Sequence, residues 1–266
     1  APTPAGTALQ FGFFRSLFRD VKENDMRASL KVYTGTLSRD LAIRTQPEAV
    51  VVSDPSEAAT VLRRGGVDVL SGSAAELLAL PPELLIGPYL VGVTDGAPGV
   101  EYLLLVRRDS GWSRLQQLQG RSLALPKTTP HSLAVPWLDT LAHDECGAAP
   151  GRFFGAMQEL AKPAQAALRV FFRQAEACVV TRASYTIMAE LNPQLAQQLV
   201  ALKSSPRLVP TFAAFRSGYD PVARGKIVAS LSSLTVNPAG RQVLTLFQAG
   251  QLAAVEESGL VTTRRL

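Results

Sequence analysis

Short unbroken apolar runs, separated by amphipathic stretches of helical length, recur along this chain, and that alternation constrains the fold more than any other feature. An apolar run of four to eight residues between turn signals reads as a strand buried on both faces, and a helical stretch between two such runs reads as a crossover. The runs are "LQFGFF" at 9–14, "AVVVS" at 49–53, "VDVLSG" at 67–72, "EYLLLVRR" at 101–108, "SLALP" at 122–126, "ACVVT" at 177–181 and "LVPTFAAFR" at 208–216. The expected class is α/β, with mostly parallel sheets covered by helices on both sides.

The intervening segments carry helix signals. Residues 16–43 place Leu17, Val21, Met26, Leu30, Val32, Leu37 and Leu41 at a spacing compatible with one long helix or two shorter ones. Asp54-Pro55-Ser56-Glu57 predicts a helix start, with Asp54 as N-cap and Pro55 in the first turn, and Gly65-Gly66 predicts its end. After 101–108 the plan repeats, with a linking helix around Ser113–Leu118, a strand, a helix, a second crossover and "ACVVT". Two further helical patterns, "PVARGKIVASLSSL" from Pro221 and "NPAGRQVLTLFQAG" from Asn237, are expected to pack back, so that one half of the chain is discontinuous.

Composition excludes several classes. With 47% hydrophobic and 18% charged residues the chain is far too apolar for disorder, yet its longest apolar runs fall well short of the roughly 18 residues that cross a bilayer. The net charge of +5 is spread over singlets and the pairs Arg63-Arg64, Arg107-Arg108 and Arg264-Arg265. A nucleic-acid face would cluster these cations with aromatics, so no nucleic-acid partner is expected. A mild positive field instead draws in a small anion. The opening "APTPAGTA" precedes the first methionine, Met26, and its small residues suit the mature side of a cleaved secretory signal, with a truncated chain as the alternative. Cys146 and Cys178 form no metal spacing; Cys178 reads as a buried core thiol, and a bridge between the two stays open. No cofactor is expected.

Candidate binding residues lie where strands meet helices. In "SLALPKTTPHSLAVPWLDTL" Thr129 is placed as N-cap, Pro130 as the first helical residue, and His131 and Ser132 in the first turn. The free amides there and the helix dipole make an anion site, to which Thr128, Thr129 and Ser132 add neutral donors. Ser71 and Ser73 occupy the same relative place after 67–72, and Thr181, Arg182, Ser184 and Tyr185 after 177–181. Ligands of open α/β sheets bind beyond the carboxyl ends of strands, so these hydroxyl-rich ends are expected to converge. Arg182 reads as the only charged donor of the three sets, with a planar fork that holds two oxyanion oxygens or else a surface acid. Arg15 and Ser16 end the first strand, and Tyr102 begins the strand expected to cross between halves, where its hydroxyl reaches ligand or backbone.

With these residues assembled, the chain resembles the phosphate/phosphite/phosphonate-binding family of ABC-transporter substrate-binding proteins. The resemblance rests on "GGVDVLSGS" (65–73), on "EYLLLVRRDSGWSRLQQLQGRSLAL" (101–125) and on "QAEACVVTRASY" (174–185). It implies a two-lobed type II periplasmic binding fold with a ligand cleft between lobes. Lobe one would comprise 1–103 and 212–266 and lobe two 104–211, with hinge strands near 101–106 and 207–213. The implied function is capture of a small phosphorus oxyanion by hinge closure, for delivery to a permease in the inner membrane, by a monomer in the periplasm or lipid-anchored to the outer face of that membrane. The family's Ser-Thr-Ser-Gly-Tyr-x-x-Pro motif aligns with residues 129–136, where Thr129 and Pro136 match and Pro130 and His131 replace hydroxyls. At the strand end where the family often offers an acid or amide, this chain has Thr181 and Arg182. The alternatives are a lyase- or dehydratase-type enzyme on the same fold, with His131 and Asp139 or Asp25 as its acid/base candidates, and a ligand sensor.

Overall fold

A computed structural model describes residues 8–18, 22–41, 44–127, 131–149, 151–230, 234–235, 241, 244 and 249–266. In chain order the strands are β1 (Phe11–Phe14), β2 (Val50–Val52), β3 (Val69–Ser73), β4 (Leu85–Thr94), β5 (Ala97–Pro98), β6 (Tyr102–Arg107), β7 (Leu123–Pro126), β8 (Met157–Leu160), β9 (Ala177–Thr181), β10 (Leu199–Ser204), β11 (Thr211–Arg216) and β12 (Leu252–Val255). The helices are α1 (Glu23–Leu41), α2 (Pro55–Arg63), α3 (Ala74–Leu78), α4 (Ala134–Cys146), α5 (Pro163–Phe171), α6 (Arg182–Leu191), α7 (Pro193–Gln198), α8 (Pro221–Ser230) and α9 (Val261–Arg264). The chain divides into two units. The first runs to Gly99 and resumes from Val209 to Arg264; the second is Val100–Leu208 with Arg265–Leu266.

The first unit holds a seven-stranded sheet of order β12-β4-β11-β3-β1-β2, with β5 paired to β4, and the second a five-stranded sheet of order β10-β6-β9-β7-β8. Every apolar run predicted as a strand forms one. The sheets are mixed rather than mostly parallel: β1 runs parallel to β2 and β3, and β7 to β8 and β9, while β11, β4 and β12 in one unit and β6 and β10 in the other pair antiparallel. Strand direction escapes the sequence because a run buried on both faces reads alike in either sense.

The helix signals at 54–66 hold. Asp54 caps α2 by accepting the Glu57 amide at 2.9 Å, Pro55 opens it, and Gly65 follows it at φ 70°, a left-handed turn that glycine adopts without strain. The 16–43 pattern resolves into a 3-10 turn at Arg15–Phe18 and the single helix α1, and the linking helix into a 3-10 turn at Leu115–Leu118. Of the pattern from Asn237 to Gly250, all but Arg241, Leu244, Ala249 and Gly250 lie outside the described residues.

Alternation along β6 shows how each sheet organises two cores. Leu104 and Val106 face one core with Leu123, Leu125, Trp137 and Leu138; Leu103 and Leu105 face the other with Ala124, Ala166, Val170 and Val180. Cys146 packs against the first and Cys178 sits in the second, so the sheet separates them, and both are free thiols. Full burial pushes the Cys178 thiol up, which suits a small apolar core residue.

The two units share a device that holds their parallel strands in register. Just before β3, Asp68 accepts the Gln10 amide through Oδ2 at 3.0 Å, fixing the start of neighbouring β1. Just before β9, Glu176 accepts both the Ser122 amide, at 3.1 Å, and the Ser122 hydroxyl, fixing the start of neighbouring β7. The Ser122 hydroxyl holds the Glu176 carboxyl below the ordinary glutamate range, against desolvation that opposes it. A carboxyl depressed in the folded state stabilises fully above its unfolded pKa, and that stabilisation is lost as pH falls through the folded value. The urea midpoint is therefore expected to fall as pH drops through and below the ordinary glutamate range, and to fall less in Glu176→Gln. Equal acid sensitivity in the two proteins would contradict this role.

Candidate functional site

Three parallel strands of the second unit, β7, β8 and β9, end on one edge of its sheet, and antiparallel β6 begins there, with Tyr102 opposite Thr181. Sequence reasoning expects α4 to start at Pro130. It starts at Ala134, with Leu133 as N-cap, so His131 and Ser132 precede it. Proline explains the shift. A helix beginning at Pro130 would carry Pro136 in its interior, losing a hydrogen bond and clashing at a cost of about 3 kcal/mol, whereas a start at Ala134 puts Pro136 in the first turn, where no N–H is missed.

Three predicted site residues meet at this helix start. The Leu133 amide donates to Tyr102 Oη at 3.1 Å and the Ala134 amide to Ser132 Oγ at 3.3 Å. His131 lies half-buried in the turn just before them. Tyr102 is 6% exposed, and its ring stacks on Trp137 of α4 at 6.3 Å with a 20° interplanar angle. Because its oxygen accepts from Leu133, the phenol keeps its own O–H as a donor. No side chain of the N-cap residue closes the helix; Pro136 has no N–H, and among the described residues the Val135 amide has no acceptor. The start of α4 thus offers a backbone amide, a phenol and the positive end of a 13-residue helix to an anion. Thr128 and Thr129, predicted for the same site, lie outside the described residues.

The other predicted residues are engaged elsewhere. Thr181 caps α6, accepting the Ser184 amide at 3.1 Å and donating to the Ser184 hydroxyl at 2.8 Å. The Arg182 fork donates from Nε and Nη2 to the two oxygens of Glu101, each at 2.6 Å, the ion-pair alternative of the two its sequence allowed. That pairing lowers the Glu101 pKa, with burial opposing it. Tyr185 donates to the Leu199 carbonyl at 3.3 Å.

In the first unit, the Ser16 hydroxyl donates to Glu76 Oε2 at 2.8 Å, and Ser73 donates to the same oxygen through its hydroxyl at 2.6 Å and its amide at 3.0 Å. Ser73 also accepts the Glu76 amide, which completes a capping box on α3. Ser71 lies buried inside β3, opposite Phe13 and Ala213, and Arg15 is exposed at the end of β1. Of the acid/base candidates, Asp139 Oδ1 accepts the Gly151 amide at 2.8 Å, and Asp25 is exposed on α1.

Sequence reasoning overlooked Lys127 and Lys162. Lys127 directly follows β7 and Lys162 precedes α5 just past β8, both exposed, so Arg182 is not the only cation at these strand ends. The signal was present as a lysine immediately after an apolar run.

Comparison with known proteins follows the same outline. A family model described as "ABC transporter, phosphonate, periplasmic substrate-binding protein" matches residues 20–260. No curated protein matches the chain. Among solved structures, XAC2383 from Xanthomonas citri bound to chloride ion aligns at TM-score 0.57 and 18% identity, over 95% of this chain and 93% of that one. PhnD1 from Prochlorococcus marinus in complex with methylphosphonate aligns at 0.51 and 13%, over 95% and 94%. A binding protein component of an ABC phosphonate transporter from Pseudomonas aeruginosa aligns at 0.50 and 17%, over 97% and 85%. At these identities the alignments speak for the fold, the two-lobed α/β binding-protein architecture.

Proposed function

The chain belongs to the phosphonate-binding family of ABC-transporter periplasmic substrate-binding proteins, and from that membership we propose that it holds a small phosphorus oxyanion at the start of α4. As a member it is the solute-binding component of an ABC importer, with a small ligand and a permease as its partners. Phosphonate, phosphite and phosphate all fit the proposed position. The observation that carries the reading is the buried Tyr102 phenol set on the Leu133 amide at a helix start without a side-chain cap. Such a start attracts an anion through amides and dipole together, and the phenol adds a charge-assisted hydrogen bond.

Ser132 orients the Ala134 amide, and His131, with Thr128 and Thr129 of the same segment, completes the proposed contacts. The site is read as binding without turnover, by a monomer in the periplasm, free or lipid-anchored. Among the described residues, no helix is long and apolar enough to cross a membrane.

Ligand that binds only the folded state stabilises it, by about 2.7 kcal/mol at a hundred times Kd. Thermal unfolding with millimolar methylphosphonate, phosphite or phosphate is expected to show a raised Tm for at least one of them. No rise with any would overturn the ligand class. Chemical conversion of a candidate ligand, followed by phosphorus NMR, would overturn the reading as a receptor without turnover.

A further inference from the structure

The proposed anion position has a neighbour on the same edge of the second unit. β7 and β8 run parallel with Pro126 opposite Leu160, and adjacent strands lie about 4.8 Å apart. Lys127 follows the end of one strand and Lys162 stands two residues past the end of the other, while the Lys127 amide donates to the Leu160 carbonyl at 2.5 Å and ties the two ends together. Both lysine side chains are exposed, and among the described residues neither is paired with a carboxylate. Arg182, a further cation of this edge, is paired with Glu101. Helix starts differ as well: α6 and α7 open on side-chain caps from Thr181 and Asn192 and α4 with none, while at α5 the Gln165 side chain accepts the amide of Lys162, the residue before the helix, at 3.3 Å. Among the described residues, Glu159 is an unpaired acid near these ends; it lies inside β8 opposite Leu125.

We propose that Lys127 and Lys162 form a second anion position, so that the ligand is a phosphorus oxyanion carrying another anionic group, a carboxylate or a second phosphoryl, a few bonds away. The inference rests on the reading that the first group sits at α4. Two ammonium groups on flexible stems close on one anionic group without demanding a fixed geometry. They discriminate against an aminoalkyl tail, which they repel.

Isothermal titration of the intact protein with ethylphosphonate and with phosphonoacetate separates the two claims. Phosphonoacetate is expected to bind at least about tenfold tighter, a difference of about 1.4 kcal/mol. In the Lys127→Gln/Lys162→Gln variant, its affinity is expected to fall to that of ethylphosphonate, which itself changes less than threefold. Ethylphosphonate binding with phosphonoacetate no tighter would overturn the lysine assignment and leave the α4 reading standing. Equal weakening of both ligands in the variant would also overturn it, since that is the mark of a general field. Binding of neither ligand would count against the α4 reading itself, and the lysine assignment would fall with it.

Discussion

Asp68→Ala is expected to destabilise the first unit by about 3–5 kcal/mol, the usual cost of stripping one partner from a buried ion pair. Asp68 and Arg216 meet at 3.0 Å with side chains only 5% and 8% exposed. Arg216 also donates from Nε to the Val67 carbonyl at 3.1 Å and from Nη1 to the Ser217 carbonyl at 3.3 Å. The pair fastens the last residue of β11 to the segment entering β3, while Asp68 holds the Gln10 amide with its other oxygen. Without the carboxylate, a buried guanidinium loses this acceptor and a strand amide loses its own. Urea unfolding of Asp68→Ala, Arg216→Ala and the double variant tests this. The double variant should cost clearly less than the sum of the singles, because removing both charges leaves none stranded. A single-variant loss below about 1 kcal/mol would contradict the account.

Tyr102→Phe is expected to weaken ligand binding about 10- to 100-fold while the protein stays folded. In the proposed site the phenol acts twice, accepting the Leu133 amide and offering its own proton to the anion, so its removal would cost a charge-assisted hydrogen bond and leave that amide without its partner. The ring and its stack on Trp137 remain, which keeps the core intact. Titration calorimetry with methylphosphonate, beside circular dichroism of the variant, checks the prediction. Unchanged affinity would remove Tyr102 from the site.

The strands buried on both faces were legible because a continuous apolar run has few other uses in a chain of this composition. Those that escaped have physical reasons. β4 carries Gly87-Pro88 and Gly92, which read as turn signals, and β8 is an edge strand with the polar, largely exposed sequence "MQEL". At the site, the hydroxyl residues were easy to name and hard to assign, because a serine or threonine after a strand caps a helix as readily as it binds an anion. Ser73 and Thr181 proved to be caps, and Ser16 donates to a glutamate 60 residues away, a pairing that local sequence does not signal. Tyr102 reads from the sequence as a hydroxyl that reaches backbone or ligand; that it accepts the Leu133 amide depends on β6 beginning beside the start of α4, which only the fold supplies. Pro136 held the one local signal that would have moved the helix start from Pro130 to Ala134.

The most direct test of the central claim is a methylphosphonate titration followed by ¹⁵N–¹H correlation NMR of the α4 amides. The Val135 amide is expected to shift downfield and saturate with the ligand, accompanied by Leu133 and Ala134, and the response to weaken in Tyr102→Phe. Saturable shifts elsewhere, with those three amides unmoved, would contradict it.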